Sequence, residues 1–330
     1  RDNTSIPALG YGTVSIGNWS NNYMFILGES ETNCAKLSFR DPAQQSDYEL
    51  EKDAIINALT HHQGGIDYSY VRIEPCDHTS KLITKRTATS HTYDCQYCYL
   101  TSVEEEHTLS LGKCSLCNSF ILRDGSDNTF NLSYGTGHAD HVILADRLLY
   151  KDGDWNTLCL PFDLTADQLD ASPLAGFSEL RTLDESMFDE KSGTLTLTFT
   201  PTEGEGAVTA IEAGKPYIIK WTGGSDIANP TFSGVTISNA TTPVETKYVD
   251  FVGTFSPIDI FTEEKTNLYL GADNLLYYPS GEDMTSFPIN SFRAYFQLKN
   301  GLTAGVPISP EQHPIKAFQL NFGDEETGIK

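Results

Sequence analysis

Thr194-Leu-Thr-Leu-Thr-Phe199 alternates hydroxyl and apolar side chains without a break. A period of two marks a strand with one face in a core and the other wet, because successive side chains of extended backbone point to opposite sides. Working outward, similar short runs recur at 141–149, 155–160, 217–221, 231–237, 248–255, 266–270, 275–278, 293–298 and 317–322. Lys191-Ser-Gly193, Thr222-Gly-Gly224, Gly271-Ala-Asp-Asn274 and Pro279-Ser-Gly281 separate them with turn-forming residues. The one helical turn expected here starts at Thr165-Ala-Asp-Gln168. It is a capping box, in which the hydroxyl accepts from the third amide and the Gln side chain reaches back. Short strands without intervening helices argue against a βαβ build. Residues 138–330 are therefore expected to form an antiparallel β-sandwich that folds by itself.

Residues 1–75 read as a small mixed α/β region. Tyr23-Met-Phe-Ile-Leu27 and Ala35-Lys-Leu-Ser-Phe39 have strand character, and a further strand is expected over 66–73. Ser46-Asp-Tyr-Glu49 is another capping box, followed by Leu50, Ala54 and Ala58, with Ile55 and Leu59, on one helical face. The pattern predicts a helix over 47–62, stopped by Gly64-Gly65. Hydrophobic residues make up 39% of the 330, enough for packed cores, and the fold class expected overall is mainly β. No run approaches the ~20 apolar residues of a membrane-spanning helix. Charge is lopsided, with 22 Lys and Arg against 45 Asp and Glu, a formal net −23. Such a surface repels phosphate backbones and anionic lipid, which argues against nucleic acid or a membrane surface as partner. Arg1 opens the chain with no charged-then-apolar leader behind it, so a processed or trimmed protein is expected.

Between these regions, residues 76–137 lose apolar periodicity and gain cysteine and histidine. A segment with little carbon to bury needs a covalent or metal staple. Cys95-Gln-Tyr-Cys98 and Cys114-Ser-Leu-Cys117 are two C-x-x-C pairs at the spacing of a four-thiolate structural zinc site, and the segment reads as zinc-ribbon-like. Gly112 stands before the second pair, where a tight turn favours a residue without Cβ. The alternative is disulfide pairing, which an oxidising compartment permits, although a bridge across C-x-x-C is strained. Cys76, His78, His91 and His107 bring the candidate ligands to eight, the number that two tetrahedral zincs require. His91-Thr before Cys95 and His107-Thr before Cys114 form a weak internal repeat. One or two structural zinc ions are expected, and spacing alone does not assign ligands to ions.

A site made chiefly of thiolates is closed, hence structural, whereas a catalytic zinc keeps a position open for water. Glu104-Glu-Glu106 reads as a solvated loop rather than a source of a catalytic base. Asp124-Gly-Ser-Asp127-Asn128 and Asp152-Gly-Asp154 resemble pieces of calcium loops without the downstream glutamate, so ordinary Asp/Gly turns are expected. His61-His62 suits a helix end, Cys159 between leucines reads as a buried core thiol, and Cys34 carries no motif. No nucleophile with a matched base is visible, and an enzyme is not expected. Tyrosine and phenylalanine are plentiful, at 16 and 17, and can stack on sugars as well as fill cores.

Five segments resemble ones that recur in secreted surface proteins of gut and oral Bacteroidetes, of the Bacteroides and Prevotella type. They are Leu149-Tyr-Lys-Asp-Gly-Asp-Trp-Asn-Thr-Leu-Cys-Leu-Pro-Phe162, Ile211-Glu-Ala-Gly-Lys-Pro-Tyr-Ile-Ile-Lys-Trp221, Asn267-Leu-Tyr-Leu-Gly-Ala-Asp273, Ser291-Phe-Arg-Ala-Tyr-Phe-Gln-Leu298 and Phe322-Gly-Asp-Glu-Glu-Thr-Gly328. The upstream His-Thr-x-x-Cys-x-x-Cys units are similar to cysteine–histidine repeats preceding that module. The resemblance implies an exported or outer-membrane-associated β-rich module, joined to adhesive repeats, and implies no catalytic residues. Adhesion or binding is the expected role, with a host or dietary glycan or a surface protein as partner. The alternative is a carbohydrate-binding or accessory domain of a surface polysaccharide- or peptide-processing protein.

Overall fold

The computed structural model describes residues 77–96, 100–263, 265–279, 285–305 and 313–323 with their side chains. It also gives the backbone of strands Thr4–Pro7, Thr13–Ile16, Ala35–Asp41, Ser46–Glu49, Arg72–Pro75 and Glu326–Thr327. The protein is mainly β, with several antiparallel sheets. It divides into two compact units, Arg1–His107 and Thr108–Lys330. The division falls inside the cysteine–histidine segment.

In the first unit, Ala35–Asp41 is the middle of a three-stranded antiparallel sheet, flanked by Ser46–Glu49 and Arg72–Pro75. The helix expected over 47–62 is thereby corrected at its start. Ser46–Glu49 is a strand whose register sets Tyr48 opposite Phe39, the type of pair that favours a ladder over a local cap. Residues 50–62 lie outside those described, as do 23–27 and 66–71. Lys81–Arg86, Ser90–Cys95 and Val103–Glu106 then form a three-stranded antiparallel meander. Glu104–Glu106 is accordingly a strand, not the loop that its charge implied.

The second unit has two hydrophobic cores. Thr194–Phe199 sits in the second, with Leu195, Leu197 and Phe199 buried and the threonines half-buried, as its alternation requires. It is flanked by Leu183–Asp189 on one side and Ala317–Asn321 on the other. Across this core, Phe296 stacks on Phe251 at 4.5 Å and 8°, and Phe199 meets Phe296 edge-on at 87°. Each such ring stabilises by roughly 1.5–3 kcal/mol through burial alone. The first core gathers Leu122, Val142, Leu144, Leu158, Trp221 and Phe232. It draws on the sheet of Ser119–Arg123, Gly137–Ala145 and Thr231–Ile237 together with Asn156–Cys159 and Pro216–Lys220.

Three pairings depart from an all-antiparallel expectation. Ser119–Arg123 runs parallel to Gly137–Ala145, joined through the helix Thr129–Gly135, Thr194–Phe199 runs parallel to Ala317–Asn321, and Leu302–Ala304 runs parallel to His313–Ile315. The capping box at Thr165 forms as expected: Gln168 N–H donates to Thr165 Oγ1, and Gln168 Oε1 accepts from Thr165 N–H. The Asp/Gly stretches are turns. Asp127 Oδ1 accepts from Thr129 N–H and Asp152 Oδ1 from Asp154 N–H. Cys159 is a free, fully buried thiol, pushed up by burial.

Candidate metal centre

The second C-x-x-C pair is built by a tight hairpin. Strands Leu109–Ser110 and Lys113–Cys114 are joined by Leu111 and Gly112, both left-handed at φ 51° and 80°. Two left-handed residues in a two-residue loop match the twist of the flanking strands, which is the reason for glycine at 112. After Cys114 the chain turns back, with Asn118 N–H donating to the Cys114 carbonyl at 3.1 Å. Both sulfurs are buried, and Cys117 Sγ lies 3.2 Å from Ser119 Oγ. Burial pushes the Cys117 thiol up, an effect Ser119 offsets in part and Cys114 reinforces. A cation at these sulfurs would reverse that preference, because metal binding displaces the thiol proton.

The histidines belong to the meander of 81–106 and the residue that follows it. His91 lies on strand Ser90–Cys95 and is only 2% exposed, while His107 follows Val103–Glu106 with its amide donating to the Thr89 carbonyl. Their Nδ1 atoms are 3.3 Å apart. Two nitrogens held at about 2.0–2.1 Å on a tetrahedral zinc stand about 3.4 Å apart. The remote nitrogens face acceptors. His107 Nε2 is 2.9 Å from the Thr87 carbonyl, which can only accept, so Nε2 is the donor there. His91 Nε2 faces Glu105 Oε2 at 3.6 Å, and Lys81 Nζ holds Glu105 at 2.6 Å. Acceptors behind ligating imidazoles orient metal sites in this way. Burial lowers the His91 pKa, and His107 lowers it further, which favours the neutral ring that a metal needs.

The ligand atoms of His91, His107, Cys114 and Cys117 all lie within 4.8 Å of one another. Two soft sulfurs and two imidazoles can bind a metal ion, and the donor chemistry suits zinc. Of the eight candidates, the group takes both cysteines of the second pair together with His91 and His107. Cys95 is buried on the same strand as His91, four residues along. At about 3.3 Å per residue the two are roughly 13 Å apart, too far to share one ion. His78, half-buried before Lys81–Arg86, is outside the group as well. Cys98 and Cys76 lie outside the described residues, together with Cys34, His61 and His62. Sequence reasoning missed Glu105, Lys81 and Thr87 as supports for the histidines, since only the strand pairing His91↔Glu105 brings them there.

No family model, curated protein or solved structure matches the chain. The reading of the site therefore rests on its own geometry and chemistry.

Proposed function

We propose that this chain is a non-enzymatic binding or adhesion module of an exported, surface-associated protein, in which zinc at His91, His107, Cys114 and Cys117 is a structural staple. The observation that carries the staple is the pair of Nδ1 atoms facing each other at 3.3 Å beside two buried sulfurs. Four protein donors complete a tetrahedron and leave no position for substrate or water, so the ion orders the chain rather than reacts. The surface role is supported by the segments at 149–162, 211–221, 267–273, 291–298 and 322–328, which resemble those of Bacteroidetes surface proteins. Cys76, His78, Cys95 and Cys98 remain as donors for a second ion.

Elemental analysis and X-ray absorption of the purified protein test the staple. The expected shell is two sulfurs at about 2.3 Å and two nitrogens at about 2.0–2.1 Å. Cys117→Ser and His107→Ala should each lower the bound zinc by one ion per chain. Protein that folds without metal, or a shell of four sulfurs, would overturn the assignment. Immunolabelling of intact cells of the source organism tests the surface setting, and label confined to lysed cells would refute it.

A further inference from the structure

A cleft of about 500 Å³ opens in the 108–330 unit, within the range of small-ligand sites. One wall is aromatic. Tyr269 stacks with Phe287, at 4.1 Å and 8°, and with Tyr277, at 5.7 Å and 22°. At the mouth, Tyr150 is 50% exposed. The Asn156 side chain pins its backbone from both sides, accepting from Tyr150 N–H at 2.9 Å and donating to its carbonyl at 2.8 Å. The Tyr150 ring has no hydrogen bond or ring contact among the described residues. A rigidly based aromatic ring left open at a concave site is poised for an external partner.

The polar groups in the cleft are of both kinds. Arg293 lines it and spends one donor on Asp124, Nη2 to Oδ2 at 2.7 Å. Among the described residues its other N–H groups have no acceptor, so four of the five a guanidinium carries stay open. Asp152 and Asp154 supply acceptors. Asp152 uses Oδ1 on the Asp154 amide, while Asp154 Oδ1 accepts from Asn274 Nδ2 at 2.9 Å. Charge decides which ligand fits. Asp124 already compensates Arg293, so an anion would meet two carboxylates inside a chain of net −23. A cation would have to sit beside Arg293, with the fully buried Arg147 guanidinium close behind it. A neutral polyol satisfies a guanidinium and a carboxylate together.

We propose that this cleft binds a neutral carbohydrate, with a sugar ring laid on Tyr150 and its hydroxyls shared between Asp152 and Arg293. The inference rests on the reading of the chain as a binding module and names the class of its ligand. Trp155 lines the cleft, so its fluorescence can follow titration of the full chain. The probes are maltotriose, cellotriose, mannotriose and a galactose trisaccharide, with trigalacturonate and glucosamine trisaccharide as charged comparisons. At least one neutral probe should give a saturable signal. Tyr150→Ala should weaken it about tenfold and Tyr150→Phe, which keeps the ring, by less than about twofold. Overturning results are silence from every neutral probe, preference for a charged one, or wild-type affinity in Tyr150→Ala. Such a failure with zinc content intact removes the cleft assignment and leaves the stapled-module reading standing.

Discussion

Cys159 and Gly253 make a sharp test of the packing. Cys159 lies on strand Asn156–Cys159 and Gly253 on Val249–Thr254, and a Cβ placed at 253 would come 2.2 Å from Cys159 Sγ and 2.8 Å from its Cβ. Rotation of the thiol relieves the first clash but not the second, because Cβ moves only with the backbone. Gly253→Ala therefore forces two strands apart, and its cost belongs at the upper end of overpacking, about 3 kcal/mol. For a unit of this size that lowers the melting temperature by roughly 6–12 °C. Cys159→Gly alone loses a buried thiol and gains backbone entropy in the unfolded chain, for about 2 kcal/mol. The double variant has room for the new methyl, so it should be more stable than the sum of the singles by at least about 1 kcal/mol. Urea titration of the four proteins measures the cycle. Additive losses would show that the two residues do not meet, and the strand packing described here would be wrong.

Three other outcomes follow from the same structure. Hydrogen bonds from Ser256, then Thr129, hold the Asp127 carboxyl at about 2. Its stabilisation is present above the ordinary value of 3.8 and is lost as pH falls towards about 2. Solvent screening limits it to about 1 kcal/mol, and acid titration of Asp127→Asn should lack that slope. For Glu179, burial raises the carboxyl pKa but the Lys220 and Arg181 hydrogen bonds outweigh it, so the net shift is downward and stability falls as pH drops below 4.5. Glu179→Gln leaves the buried Arg181 without its carboxylate and should cost about 2 kcal/mol in a denaturant melt at neutral pH. Residues 108–330 expressed alone should melt cooperatively. Residues 138–330, which lack Phe120 and Leu122 of the first core, should melt markedly lower, and equal midpoints would contradict the pairing of Ser119–Arg123 with Gly137–Ala145.

What could be read in advance was local. Thr194–Phe199 and Arg293–Leu298 are strands over the expected residues, because alternation of apolar and polar groups along one strand carries its own evidence. The Thr165 capping box is likewise complete within four residues. The meander of 81–106 was illegible because its burial runs against residue type. Leu82 is 60% exposed, whereas Ser90 and His91 are buried. The same inversion hid the ligand set. Spacing identified Cys114 and Cys117 as a pair, but their companions arrive from another part of the chain, and sequence distance says nothing about which. His91 and His107 stood among eight candidates; strand pairing and the Thr87 carbonyl are what single them out.

The mixed donor set also bears on where such a protein can work. Zinc with four thiolates carries a net −2, whereas zinc with two thiolates and two neutral imidazoles carries none. In a chain of net −23 a buried doubly negative centre adds repulsion to desolvation, and the neutral one avoids both. It also halves the number of oxidisable sulfurs, and the two that remain lie in one C-x-x-C turn, where a disulfide is strained. Zinc binding and exposure to an oxidising exterior are then compatible. The expected outcome is direct: under air, the zinc-loaded protein should hold its metal and resist thiol labelling for hours, while the protein stripped by chelator should label rapidly at Cys114 and Cys117. Fast labelling of the loaded protein would mean that the sulfurs are not ligands, and the argument for a stapled surface module would lose its foundation.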